Sequence, residues 1–175
     1  DKVNGAWISG FFGSGKSHLL KMMSMLLQNQ QVEGKSALDF FLEKCKDDPM
    51  LKGRIQKACS IPSISILFNI DQKADVISKS EIDALLSVFL KVFDEHCGYC
   101  GKHPHVAQFE RDLDHDGLFE IFKEEFLKKT GKTWEWSRVR ALQIEKEVDA
   151  VYNQITGKKE NNLIDKHRKD YRLSI

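Results

Sequence analysis

Long apolar runs are missing from this sequence: none approaches the ~20 residues needed to span a bilayer. Asp1-Lys2-Val3-Asn4-Gly5 has no apolar h-region, so it does not read as a secretory signal. Only 4 of the 175 residues are cysteine, too few for a disulfide scaffold. Proline is scarce, at 3 residues, and no low-complexity linker or internal repeat is visible. Net charge is +1, so no overall excess points to a nucleic acid or an anionic membrane as partner. Membrane, collagenous, disordered and disulfide-rich classes are thereby excluded. The expectation is a soluble, cytoplasmic, largely helical protein with reduced thiols and no membrane partner.

Hydrophobic residues make up 41% and charged residues 30%, enough for a self-supporting core in a chain of this length. The charge is uneven. Residues 1–74 sum to +3, 75–126 to −7 and 127–175 to +5. The basic tail (Lys158, Lys159, Lys166, Arg168, Lys169, Arg172) is interleaved with Glu160, Asp165 and Asp170, which suits a solvated helix face better than a polyanion site.

Gly5–Ser9 is a short apolar run that suits a buried strand, and Leu19, Leu20, Met23, Leu26 and Leu27 follow at helical spacing. Ser36 reads as the N-cap of a second helix, and Pro49 as a break before a third around Leu51–Ala58. Ile64–Ile70 alternates Ile64, Ile66, Phe68 and Ile70 with Ser65, Leu67 and Asn69, the pattern of a second strand. From Ser80 the pattern is helical, with stripes at Ile82–Phe93, Leu118–Phe126 and Ile144–Ile155, punctuated by Gly131 and Gly157. Two strands cannot cover so many helices, so the reading places the rest of the sheet beyond residue 175 or on a partner.

Between the first strand and helix lies Gly10-Phe11-Phe12-Gly13-Ser14-Gly15-Lys16-Ser17, which satisfies G-x-x-x-x-G-K-[ST] at every fixed position. A triphosphate needs many donors in a small volume, and a curled glycine-rich backbone supplies them. The following helix adds positive potential. Lys16 is the candidate catalytic cation for the β- and γ-phosphates, and Ser17 the candidate Mg²⁺ ligand. The nucleotide-binding set is Gly10, Phe12, Gly13, Ser14, Gly15, Lys16, Ser17 and His18, with ATP and Mg as cofactors. The acidic pair that usually ends a second strand is missing, leaving Asp71 as the sole candidate; Arg138 and Arg140 are finger candidates only by charge.

Two further patterns are weaker. Asp112-Leu113-Asp114-His115-Asp116-Gly117 opens like a calcium loop, but Lys123 stands where a bidentate Glu is required. Asp114–Asp116 reads more simply as the cap of the next helix. Cys97, Cys100, His103 and His105 have spacing compatible with zinc, yet no second distant ligand pair accompanies them, so they read as free thiols and loop histidines.

Trp7–Lys21 resembles the Walker A region of the large P-loop ATPase of bacterial bacteriophage exclusion (BREX) systems, the BrxC/PglY family. The stretches Phe68–Asp71, Leu86–Phe93, Ala107–Asp114 and Trp134–Arg138 carry the same resemblance. It implies an ATPase of an anti-phage defence complex, working beside a DNA methyltransferase and other proteins and associating with DNA indirectly. It also implies that this chain corresponds to an N-proximal part of longer members, whose Walker B acids have no match here.

The resulting expectation is an α/β, AAA-like P-loop NTPase core with an incomplete parallel sheet and a large helical region after the second strand. Residues 1–75 would form strand, P-loop, helices and strand, and 76–175 the helical part. The alternatives are another AAA- or STAND-like ATPase, or a nucleotide-gated interaction module that binds ATP without hydrolysing it.

Overall fold

In the computed structural model, residues 5–69 and 81–171 are described. The chain divides into two compact units, residues 1–67 and 68–175.

Unit 1 begins with the glycine-rich loop and helix α1 (Lys16–Leu27). A hairpin of β1 (Gln31–Val32) and β2 (Lys35–Ser36) follows, pairing Gln31 with Ser36 and Val32 with Lys35. Its two-residue turn needs left-handed backbone at both positions, and Glu33 (φ 52°) and Gly34 (φ 79°) adopt it. Ser36 then caps α2 (Ala37–Lys44): its hydroxyl accepts from the Asp39 N–H at 3.1 Å. Asp48 caps α3 (Pro49–Cys59) in the same way, through the Leu51 N–H at 2.8 Å, with Pro49 in the first turn. These three helices pack on one another. Among the described residues of this unit only Ala37 is buried.

The expected parallel-sheet NTPase core is not what the chain forms. Among the described residues the sole sheet is the antiparallel β1–β2 hairpin, and the rest of the regular structure is helical. Gly5–Ser9 forms no strand, and neither does the described part of the second candidate, Ile64–Asn69; Ile70 and Asp71 lie outside the described residues. Trp7 is 92% and Ile64 74% exposed. Alternation shows that a segment fits a pleated surface, but a strand exists only where a neighbour pairs its N–H and C=O groups, and that is a non-local fact.

Unit 2 has the substantial core. It contains α4 (Glu81–His96), α5 (Pro104–His115), α6 (Phe119–Thr130), the short α7 (Trp134–Ser137), a 3₁₀ segment (Arg138–Ile144), α8 (Glu145–Thr156) and α9 (Leu163–Asp170). Gly131 (φ 70°) and Gly157 (φ 69°) close α6 and α8 in the left-handed conformation, as the stripes predicted. The stretch after Thr133 is broken: Arg140 (φ −120°, ψ 24°) kinks the 3₁₀ segment before α8 begins. α5 was not foreseen from the sequence. It buries Val106, Phe109, Glu110 and Leu113 at steps of three, one and three, and packs mainly against α9 and α6.

Aromatic rings form the centre of this core. Phe122 and Trp134 meet edge to face with centroids 5.1 Å apart, as do Phe126 and Trp134 at 5.3 Å and Phe109 and Phe122 at 5.4 Å. A carboxylate sits among them. Glu110 is fully buried and accepts from the Cys100 N–H at 2.5 Å, the Trp134 indole N–H at 2.6 Å and the Arg138 guanidinium at 3.2 Å. Burial pushes its carboxyl above the usual range, against the pull of those donors.

Candidate nucleotide-phosphate site

The loop Gly10–Ser17 curls as the motif requires. Phe11 and Ser14 close a turn through the Ser14 N–H to the Phe11 carbonyl at 3.2 Å. Gly13 (φ 79°) and Gly15 (φ 84°) both take left-handed backbone, where a Cβ is strained whatever the space. Gly10 has no positive φ, and a Cβ there would meet the Ser14 hydroxyl at 2.9 Å, which would have to turn aside.

Lys16 occupies the middle of the curl. Its ammonium donates to the Gly10 carbonyl at 2.8 Å, the Phe11 carbonyl at 2.7 Å and the Ser14 hydroxyl at 3.3 Å. The side chain therefore folds back over the loop, with its charge inside the curl. Gly15 is the N-cap of α1. No side chain caps this end and the first turn holds no acidic residue, so its N–H groups keep their capacity for an anion. Ser17 and His18 lie exposed in that first turn. The Ser17 hydroxyl has no hydrogen-bond partner among the described residues. Phe12 is fully exposed at the loop tip beside Phe11.

The remaining candidates lie away from this loop in sequence. Asp71 is outside the described residues. Arg138 belongs to unit 2, where it binds the Gly98 carbonyl at 2.8 Å as well as Glu110. Asp112, Asp114 and His115 are inside α5 and Asp116 is its C-cap, so no calcium loop forms there. These acids end α5 rather than cap α6, whose N-cap is Leu118 without a side-chain bond. Asp112 meets His167 at 3.1 Å, and Asp114 accepts from the Tyr99 hydroxyl at 2.5 Å. That bond drives the Tyr99 phenol up to about 12.

The cysteines and histidines do not gather. Cys100 is buried and Cys97 exposed, while the His103 and His105 rings lie tilted to each other with centroids 5.7 Å apart. Among the described residues no group of three or more His, Cys, Asp or Glu side chains is placed to hold a metal. The basic tail is partly neutralised locally: Lys166 pairs with Glu160 at 2.6 Å, and Arg168 and Lys169 share Asp165 at 2.5 and 2.6 Å.

Sequence reading overlooked the buried Glu110 network. Its one advance signal was a glutamate between Phe109 and Arg111 in a helical phase that buries it. No helix among the described residues is long and apolar enough to cross a membrane. No protein-family model matches the chain, and no solved structure matches it.

Proposed function

We propose that unit 1 binds the phosphates of a nucleoside triphosphate, ATP with Mg²⁺, in the loop Gly10–Ser17. The observation that carries this reading is the Lys16 ammonium held at the centre of a loop whose two left-handed glycines deliver the chain into an uncapped helix end. On arrival of the anion, Lys16 exchanges the Gly10 and Phe11 carbonyls for phosphate oxygens. Backbone N–H groups from Phe12 to His18 surround those oxygens, and Ser17 supplies one protein ligand to the metal. Bound Mg²⁺ would neutralise phosphate charge. The reading is of binding: Asp71, the carboxylate the sequence offers for hydrolysis, is outside the described residues. The wider role, ATP use in an anti-phage complex beside a DNA methyltransferase, rests on the resemblance of the five stretches quoted above.

The test is calorimetric titration with Mg-ATP and Mg-GTP, wild type against Lys16→Ala. A hydrogen bond from a charged group is worth ~1.5–3 kcal/mol, so the variant should bind ATP about 10- to 100-fold more weakly. Equal binding by the two proteins, or none by wild type, would refute the proposal.

A further inference from the structure

Many cations of unit 2 are matched to carboxylates: Lys123 to Glu120 at 2.5 Å, Lys128 to Glu125 at 2.7 Å, and Arg138 to Glu110 at 3.2 Å. Lys129, Lys132 and Arg140 form no ion pair among the described residues, and all three line one cavity of about 470 Å³. Three different segments place them: the last turn of α6, the turn after it, and the 3₁₀ segment. Glu147 is the one acid in the lining, so the wall carries a net charge of +2 (three cations less one acid).

Trp136 stands in the same wall, 56% exposed. The Lys132 ammonium lies 4.6 Å from its ring centroid and the Arg140 guanidinium carbon 5.7 Å from it. The backbone that carries the ring is anchored. Two residues earlier Trp134 is buried with its indole N–H on Glu110, and the Thr133 hydroxyl accepts from the Trp136 backbone N–H at 3.3 Å. With only two side-chain torsions on that backbone, the indole loses little freedom when a ligand stacks on it.

An aromatic face with two unneutralised cations over it suits a ligand in which aromatic rings alternate with anions, because the anions draw the cations aside as a ring takes their place. We propose that this cavity binds single-stranded nucleic acid, with one base on Trp136 and neighbouring phosphates on Lys129, Lys132 and Arg140. A duplex hides its base faces and cannot use the indole. A volume of about 470 Å³ lies within the range of small-ligand sites, room for one nucleotide while the strand continues along the surface. This site is separate from the loop at Lys16 and does not depend on that reading.

The probe is a short fluorescein-labelled oligothymidylate, titrated by anisotropy against the full chain in EDTA, without nucleotide. Neutralising three phosphates predicts affinity falling roughly 20-fold between about 50 and 200 mM salt. Trp136→Ala should weaken binding about 10-fold or more, with Trp136→Phe retaining most of it. Lys132→Ala with Arg140→Ala should flatten the salt dependence, and Lys16→Ala should change nothing. The double substitution of these two surface cations keeps the test valid if Trp136→Ala perturbs helical content. The proposal is overturned if wild type does not bind at 50 mM salt, or if Trp136→Ala binds as wild type does. It is also overturned if the same sequence as a duplex binds equally well, or if free mononucleotide displaces the strand at equal concentration.

Discussion

Glu110→Gln tests whether unit 2 is organised around a charge rather than a shape. The carboxylate has two oxygens for three donors: one takes the Trp134 indole and Arg138, the other the Cys100 N–H. An amide of the same size keeps one oxygen, so in either orientation its NH₂ faces an N–H. The better orientation sacrifices the Cys100 bond and leaves Arg138 without its counter-charge. One buried donor unsatisfied, together with a broken and mostly buried ion pair, costs about 2–4 kcal/mol. For a unit of this size that lowers the melting midpoint by roughly 10–20 °C. The chain has 3 tryptophans, so a Trp7→Phe, Trp136→Phe background makes fluorescence report on buried Trp134 alone. Urea and thermal unfolding would be followed by that signal. A Gln variant within about 0.5 kcal/mol of its parent would show that side-chain volume suffices, and the account of the network would be wrong.

Two glycines should respond to alanine with opposite signs. At Gly131 a Cβ meets nothing within 4 Å, but φ is 70°, so Gly131→Ala should destabilise unit 2 by about 1 kcal/mol in denaturant melts. Gly53 lies inside α3 with equal space and no positive φ, so Gly53→Ala should raise helical stability in unit 1 by about 0.5–1 kcal/mol. Burial, and then the neighbouring His103, hold the His105 imidazole below its ordinary 6.5. The folded state therefore binds fewer protons than the unfolded one. The stability this confers is present above pH 6.5 and lost as pH falls through the lower folded value. Melts between about pH 7 and 5 should show a decline in wild type that His105→Gln flattens.

What could be read in advance was local. Ser36 and Pro49 marked helix starts, and Gly131 and Gly157 marked ends, because each acts through its own backbone and the nearest turn. The curl of Gly10–Ser17 was equally legible, since its glycines and Lys16 lie within eight consecutive residues. Sheet formation was not: Ile64–Asn69 has the alternation of a strand, but pairing depends on a second segment in register. α5 was concealed by its own chemistry, because Asp112, Asp114 and Asp116 resemble a calcium loop while Phe109, Glu110 and Leu113 turn inward. The pocket around Trp136 was invisible for another reason. Its cations are set apart by what their neighbours pair with, which no spacing rule reveals.

The scarcity of buried side chains in unit 1 changes what a ligand would mean there. With Ala37 alone enclosed among its described residues, little burial opposes the conformational entropy of three helices and a two-residue-stranded hairpin. Anything that binds the folded loop and not the opened chain adds its own mass-action term to that slender margin, growing with the logarithm of its concentration. Occupancy of Gly10–Ser17 would then be read out as order across the whole unit, in amide exchange along α2 and α3 as much as at Lys16 itself.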